Sequence, residues 1–586
     1  MPTIHLIDPS LSYVGDHHFD FASHVMGVAA EQGFQIRLAT NRKFRDLAAV
    51  PQGWTVHPCF RHHAYNRHSL HHGGEKLLAR LGCLKPKRSL QSLLTTPARL
   101  ASNAWYRRRR DVRLDRFASE LAAYWQSVSP QPGDQMILPT VSEFEVISLS
   151  RALPKLAGAE RVDWHLLFHF NILEGPETEL PSQRPLFDWM AATMGDACRT
   201  LRSHSLNFYT SNETLQRQYE MLGVGSFKAL AYPMNPELAP PRQTENAGPK
   251  RILMGGGIRR EKGQSRLDRI AADLWTGCLD QGAAQLVVQS GKLGFSVALP
   301  AQPAADVEPV VYPPHPLPME GYRDLIAGAH VGLFLHDRRR YYARRSGVLT
   351  DYLCTGLPVI VPAGCWLSEQ VQPSVDATAR QILARHPQRN LVPQEWLTPS
   401  GSDRLECGGS ASPATRTLPV AGGDDLAAVT FDWPTCETGT YVTVELAAFD
   451  ESGRSLTVQR SCGSRPNDSG EAIALFEIPL ATKSVRLTWK NAFDDARLLI
   501  RPREVSTFSS EGEAPPLGSF GLIAADDEQI GRLVRQMLAH HDHYRREAVA
   551  FADEWRRRHH PARTLEQFLA SAKKLPRQTT PLRRAA

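Results

Sequence analysis

The sequence predicts an α/β protein of two Rossmann-like units, the second interrupted by an antiparallel β-sandwich. Three observations carry this expectation. A strand–loop–helix–strand rhythm opens the chain and restarts after a proline-rich stretch; short strand-like runs with no helix between them fill 403–510; and α/β texture returns from Gly518. A chain of 586 residues leaves room for roughly three or four domains. Hydrophobic residues at 42% and charged residues at 22% are ordinary for a folded chain.

The first unit is read over 1–235. Residues 4–7 form an apolar run suited to a buried parallel strand. A loop over 8–16 contains Pro9 and Gly15, and 19–31 carries Phe21, Val25, Val28 and Ala29 at helical spacing. Gly33 stops that helix, and 34–39 is the next strand, completing a βαβ unit. Further strands are expected at 135–138, 164–170 and 207–210, with helices from Glu143 and over 213–222. The basic stretch 65–115 has weak periodicity and reads as helix and loop.

Residues 232–249 are rich in proline and read as a linker. The βα pattern restarts in a second unit, 250–400, with strands at 251–254, 286–289, 331–335 and 358–361 and helices at 322–329 and 347–355. Within 403–510, short runs at 429–433, 441–449, 455–459, 472–478, 485–489 and 497–500 are separated by turn signals such as Asp450-Glu451-Ser452-Gly453, the pattern of an antiparallel sandwich. Residues 515–586 close the second unit with a strand at 519–523 and helices at 528–538 and 544–557. Trp433, Tyr441, Trp489 and Phe493 would serve the sandwich as core, or as platforms for sugar rings that make it a carbohydrate-binding module, with an interdomain or oligomer contact an equal alternative.

The formal net charge of +7 and pI near 8.9 are a mild excess for this length. They suit an anionic ligand such as a nucleotide diphosphate, or an acidic lipid surface, and give no reason to expect nucleic acid. Arg107 to Arg110, after Trp105 and Tyr106, read first as a solvated helix face and second as a peripheral membrane contact. Nine scattered cysteines without a C-x-x-C pair speak against disulfides or structural zinc, and for a reducing compartment. No signal peptide and no apolar run near the roughly 18 residues of a membrane span are visible, so a cytoplasmic location is expected.

Two α/β lobes joined by a linker suggest a ligand in the cleft between them, at the carboxyl ends of the strands. Three loops carry anion-binding equipment. After the strand 251–254 come Gly255, Gly256 and Gly257, which allow close backbone approach, and Arg259 and Lys262, which offer positive charge; a Gly-rich turn is equally the mark of a tight connection. Arg345 precedes Ser346, Gly347 and Val348 at an expected helix N-terminus, where free N–H groups favour phosphate, unless Ser346 is a plain N-cap. Asp351, one turn on, is placed to accept from ribose hydroxyls. The third loop, Gly15-Asp16-His17-His18, reads as structural when taken alone.

The segments 322–335 and 353–362, with 257–263 as a phosphate loop, resemble the nucleotide-sugar-binding half of the retaining glycosyltransferases of family 4. Gly15-Asp-His-His, the Gln32-Gly33-Phe34 turn and Thr210-Ser-Asn-Glu-Thr-Leu are similar to that family's first lobe. The likeness covers about 1–370 and 515–586 and is strongest over 320–365. It implies the two-lobed GT-B fold and a transfer with retention, from a nucleotide-sugar substrate to a glycan or lipid-linked acceptor. It implies no other cofactor and no metal, in keeping with the lack of H-E-x-x-H and of D-x-D in the βα loops. Arg259 and Lys262 would stabilise the leaving diphosphate; Gly15, Gly257, Arg345, Ser346, Gly347, Val348 and Asp351 would bind the donor. His169, at the end of the strand 164–170, is the residue expected to face the donor sugar, against the plainer reading of a structural histidine. The family places two glutamates eight positions apart before its GxP turn; here Ala343 and Asp351 stand in those places, a divergence shared with a subgroup lacking the first glutamate. Two rivals stand beside this reading. One is a non-catalytic, glycosyltransferase-like glycan-binding or scaffolding protein; the other, less favoured for want of a placeable cofactor lysine, is a GT-B epimerase or phosphorylase.

Overall fold

A computed structural model describes residues 2–14, 17–62, 91–175, 180–238, 248–291, 295–304, 306–391, 405–407, 414–432, 442–463, 471–491, 498–510 and 516–572. The chain forms two compact units, one of Met1–Ile172, Gln183–Asn235 and His559–Ala586, the other of Leu173–Ser182 and Pro236–Arg558.

The first unit contains, in chain order, β1 (Thr3–Asp8), α1 (His17–Glu31), β2 (Gln35–Asn41), β3 (Thr55–Phe60), α2 (Gln91–Val128), β4 (Gln135–Val141), α3 (Glu143–Ala152), β5 (Asp163–Phe168), α4 (Leu180–Thr200), β6 (Ser205–Thr210), α5 (Glu213–Glu220) and β7 (Phe227–Ala229). The strands form one seven-stranded sheet, ordered β3-β2-β1-β4-β5-β6-β7 and parallel throughout. β1 and β4 are buried along their whole length, which is why they read as unbroken apolar runs rather than alternating ones. Phe21, Val25 and Ala29 of α1 pack onto Ile4, Leu6, Ile36 and Leu38. His5 and His165 are buried in this layer, with Tyr124 Oη and Gln135 Oε1 each 2.8 Å from a ring nitrogen.

The end of the chain departs from expectation. Residues 515–586 were assigned as a whole to the second unit, yet the helix Pro561–Ala572 belongs to the first. Its apolar side chains Leu565 and Phe568 find cover there against Phe21, Val25 and Tyr209, and Lys228 Nζ donates to Ser571 Oγ at 2.8 Å. In the basic stretch, read as helix and loop, α2 runs through the second half, while 63–90 lie outside the described residues, as do the side chains of Arg107, Arg108 and Arg109. Arg110 is not a solvated charge. Its guanidinium lies 4.4 Å from the Trp189 ring centroid.

The second unit continues with β8 (Lys250–Met254), α6 (Leu267–Asp273), β9 (Ala284–Val288), β10 (Val310–Val311), α7 (Met319–Ala327), β11 (Val331–Leu333), α8 (Gly347–Cys354), β12 (Val359–Pro362) and α9 (Trp366–Arg385). After α9 come β13 (Arg389–Asn390), β14 (Leu405–Cys407), β15 (Ala414–Pro419), β16 (Leu426–Asp432), β17 (Val442–Phe449), β18 (Ser455–Gly463), β19 (Glu471–Glu477), β20 (Ser484–Asn491) and β21 (Leu498–Phe508). The chain then forms β22 (Gly521–Ala524), α10 (Ile530–Ala539) and α11 (His541–Arg558). The parallel sheet is ordered β10-β9-β8-β11-β12-β22. β22 pairs directly with β12, so everything from β13 to β21 interrupts one α/β sheet.

That insertion is two antiparallel sheets, β13-β21-β16-β19 with β14 on β21, and β15-β20-β17-β18. Val429, Phe431 and Phe476 from one sheet and Val444, Leu446 and Leu487 from the other share one core, as in a sandwich. Trp489 is fully buried in that core and cannot be a sugar platform; Trp433, Tyr441 and Phe493 lie outside the described residues. The sandwich is fixed to the α/β sheet twice. Ile382 of α9 packs with Leu426, Ala428 and Phe508, and Arg460 of β18 donates to Asp526 at 2.8 Å and Glu528 at 2.6 Å, beside β22. Two Rossmann-like α/β units, the second interrupted by an antiparallel sandwich, are observed as the sequence predicts.

Candidate functional site

In the second unit the strand order turns between β8 and β11. Doubly wound sheets receive ligands at such a turn, at the carboxyl ends of the strands. The β8 loop begins at Gly255 and is pinned by Gln289, at the end of β9: Gly256 N–H donates to Gln289 Oε1 at 2.7 Å, and Ile258 N–H donates to Gln289 O at 2.8 Å. Gly256 (φ +75°) and Gly257 (φ +67°) take left-handed backbone. A Cβ on Gly256 would overlap a Val348 methyl and lie 2.8 Å from Lys262 Nζ; one on Gly257 would lie 2.5 Å from the His315 ring. Three pieces of distant sequence therefore meet at this loop. The glycines are there because neighbours leave no room for a side chain.

Arg259 caps a short turn, Arg260–Lys262, and pairs with Glu261 at 3.1 Å while half exposed. Lys262 is 7% exposed and donates to the Gly256 carbonyl. Burial, reinforced by Arg259 and Arg344 and opposed by Glu261, brings its ammonium down to about 7. Ser346 is the N-cap of α8, its Oγ accepting from Leu349 N–H at 3.4 Å, and Gly347 and Val348 open the helix. A Cβ on Gly347 would meet nothing within 4 Å. Gly257, Lys262, Val348 and the first turn of α8 are thus brought together.

Two expected residues have side-chain partners of their own. Arg345 donates to Thr350 Oγ1 at 2.8 Å and lies 6.0 Å from the Trp366 ring. After Arg259, the guanidinium that acts on Lys262 is that of Arg344, a residue that carries no motif in the sequence. The chain enters Ser346 in extended backbone, and successive side chains along such a segment leave on opposite sides. Asp351 accepts from Tyr322 Oη at 2.9 Å, so α7 holds the carboxylate expected to read ribose. The buried Ala343 carries no charge to the site.

The loop after β11 lies against the Lys262 turn. Asp337 N–H donates to Glu261 O at 2.9 Å, Arg266 donates to Leu335 O, and a Cβ on Gly263 would overlap Leu335. Between these anchors sits His336, 4% exposed, T-shaped to the Tyr341 ring at 4.3 Å. Burial, then Lys262, Arg344, Arg259 and Arg266, hold it well below the ordinary imidazole range. Neither His336 nor Gln289 was singled out from sequence.

The first unit has its own polar edge at the corresponding turn of strand order. Asp8, ending β1, accepts from His18 Nδ1 at 2.7 Å and from Ser10 N–H at 2.9 Å. Glu145 of α3 accepts from His62 Nε2 at 2.9 Å and from the Ser142 hydroxyl at 2.6 Å. His169, just past β5, donates through Nε2 to Pro139 O at 2.6 Å and meets Tyr232 edge-on at 5.0 Å. That bond leaves Nδ1 as the basic nitrogen. Gly15 lies outside the described residues. Strand-end position alone marked His169; the Asp8–His18 and His62–Glu145 pairs join residues too far apart in sequence for spacing to reveal.

No protein-family profile and no curated protein matches the chain. Solved structures do. The chain is similar to the trehalose-6-phosphate phosphatase N-terminal domain of Candida albicans, at 12% identity and TM-score 0.39, over 64% of this chain and 85% of that one. It is similar also to α,α-trehalose 6-phosphate synthase from Burkholderia multivorans, at 12% identity and TM-score 0.39, over 64% and 86%. MurG of Acinetobacter baumannii gives 10% identity and TM-score 0.30, over 62% and 78%. Superpositions this loose carry no chemistry, which rests on the loops just described.

Among the described residues no three His, Cys, Asp or Glu side chains group as metal ligands, and no helix is long and apolar enough to cross a membrane.

Proposed function

We propose that this chain is a glycosyltransferase whose second unit receives the diphosphate of a nucleotide-sugar donor. The observation that carries the reading is the meeting of Gly256, Lys262 and Val348 at the turn of strand order. Bare backbone, a buried amine and the open N-terminus of α8 converge there from separate segments. Such a constellation suits developing negative charge on a leaving diphosphate, since donors fixed beforehand need no reorganisation during reaction. Arg259 and Arg344 add positive potential, and Asp351, held by Tyr322, is the proposed ribose acceptor.

The finer parts of the reading are proposals of the same kind. They are a family-4-like transfer with retention, an acceptor that is a glycan or a lipid-linked saccharide, a part for His169 in the first unit, and a cytoplasmic setting with peripheral membrane contact. No cofactor enters: the nucleotide sugar is substrate. The absence of a carboxylate at Ala343 favours one second reading, a glycosyltransferase-like protein that binds a nucleotide or glycan without turnover.

Thermal shift with a panel of nucleoside diphosphates and their sugars tests the site. A ligand at a hundredfold its Kd stabilises by about 2.7 kcal/mol, and Lys262→Ala should lose that gain. A wild type blind to every diphosphate sinks the donor site. Slow donor hydrolysis without acceptor then separates turnover from binding alone.

A further inference from the structure

We propose that His336 is a further binding residue for the donor diphosphate, a hydrogen-bond donor fixed beside the turn that carries Lys262 and brought into use when Lys262 turns from Gly256 to the ligand. This rests on the glycosyltransferase reading above and names a contact that reading does not contain.

Both ring nitrogens of His336 are buried and, among the described residues, have no hydrogen-bond partner. Buried polar atoms are nearly always satisfied, and an orphaned pair in a functional region calls for a missing partner. The surroundings say which kind. The charges that act most on its ring are Lys262, Arg344, Arg259 and Arg266, all positive, so the partner that fits is an anion. His336 is also fixed where an anion would come. Its neighbours in sequence, Leu335 and Asp337, are both bonded to the segment that carries Lys262, and Lys262 in turn lies against Gly256 and the first turn of α8. Phe334 and Tyr341 wall the imidazole on two sides, with ring centroids at 5.3 and 4.3 Å. Its orientation is therefore set by packing before any ligand arrives.

In the unliganded protein the Lys262 ammonium donates to the Gly256 carbonyl. A diphosphate oxygen is the stronger acceptor. When Lys262 moves to it, the same oxygens come within reach of the His336 N–H, and a buried unsatisfied group becomes satisfied by the ligand. The unliganded protein and the complex thus respond to loss of the imidazole in opposite directions.

The test measures melting temperature and the binding of UDP, GDP, ADP and inorganic pyrophosphate by titration calorimetry, in wild type, His336→Leu, His336→Gln and Lys262→Met. His336→Leu removes an orphaned polar group, so the unliganded protein should melt at the same temperature or higher. Its Kd for the best diphosphate should weaken by about tenfold, and His336→Gln, which restores an N–H, should recover most of that loss. If His336→Leu does not fold, His336→Phe keeps a ring between Phe334 and Tyr341 and carries the same comparison. A folded Leu or Phe variant that binds within twofold of wild type, while Lys262→Met does not bind, overturns this inference alone. A wild type that binds none of the four probes overturns the donor-site reading, and this inference with it.

Discussion

The Lys262 ammonium donates to the carbonyl of Gly256, in the glycine-rich loop that the same lysine would help to open for a ligand. With the amine brought down to about 7, largely by burial, much of it is neutral above that pH in the unliganded protein. A diphosphate favours the charged form, so binding should take up a proton. The Kd for UDP or its equivalent should rise with pH above about 7, approaching tenfold per pH unit while the charge is required. Calorimetry in buffers of different ionisation enthalpy measures the proton directly. No uptake above neutrality would contradict the role given to Lys262. For folding the sign also follows: between about 7 and 10.5 the unfolded chain holds the proton and the folded one does not. Stability from this group therefore rises across that window, and Lys262→Met should abolish the rise.

Two glycines of the site should respond differently to alanine. Gly256→Ala meets left-handed backbone and the Val348 methyl, and should cost about 1–3 kcal/mol of stability along with nucleotide binding. Gly347→Ala meets nothing within 4 Å, and should leave stability unchanged or raise it by about 0.4–1 kcal/mol. In that open space only a ligand would feel the new methyl. Weaker diphosphate binding by a Gly347→Ala protein of undiminished melting temperature would place the anion at the start of α8; unchanged binding would remove it from there.

Arg460 should hold the sandwich to the parallel sheet of the second unit. It bonds Glu445 at 2.7 Å within the sandwich and Asp526 at 2.8 Å beside β22. Arg460→Met leaves these partly buried carboxylates without their common cation, at an expected cost of about 1–2 kcal/mol, the exposed Glu528 adding little. Limited proteolysis checks the direction, since a loosened sandwich should be cut free sooner. Equal cleavage rates would assign the anchoring to Ile382 and its apolar neighbours instead.

The last helix should matter to the first unit rather than the second. Phe568 is fully buried against the first unit's core, so Phe568→Ala should destabilise that unit by about 3–5 kcal/mol. Diphosphate binding, proposed for the other unit, should survive at temperatures where both remain folded. Loss of binding together with an intact first unit would reverse the assignment.

Much of the candidate site was legible because it is written locally. Glycines followed by Arg259 and Lys262, and Ser346 before an apolar helix, announce a loop and a cap whatever surrounds them. What was missed depends on partners far along the chain. Arg344 and Arg345 are adjacent and chemically identical, and only the packing of Thr350 and Trp366 decides which of them turns from Lys262. Gln289 and His336 carry no motif; their meaning comes from the Gly256 amide and from the cations around Lys262.

The sequence by itself determined the alternation of strand and helix, the two restarts of that rhythm and the succession of short strands and turns in the insertion. Those patterns arise between residues a few positions apart, where backbone geometry dictates which side chains share a face. Tertiary structure alone decided that β22 pairs with β12 across the whole sandwich, that Leu565 and Phe568 complete the first unit, and that His336 stands unsatisfied among positive charges. Each of these is a contact between distant segments, chosen by where apolar surface finds cover and where backbone approaches closely, and no local pattern encodes that choice.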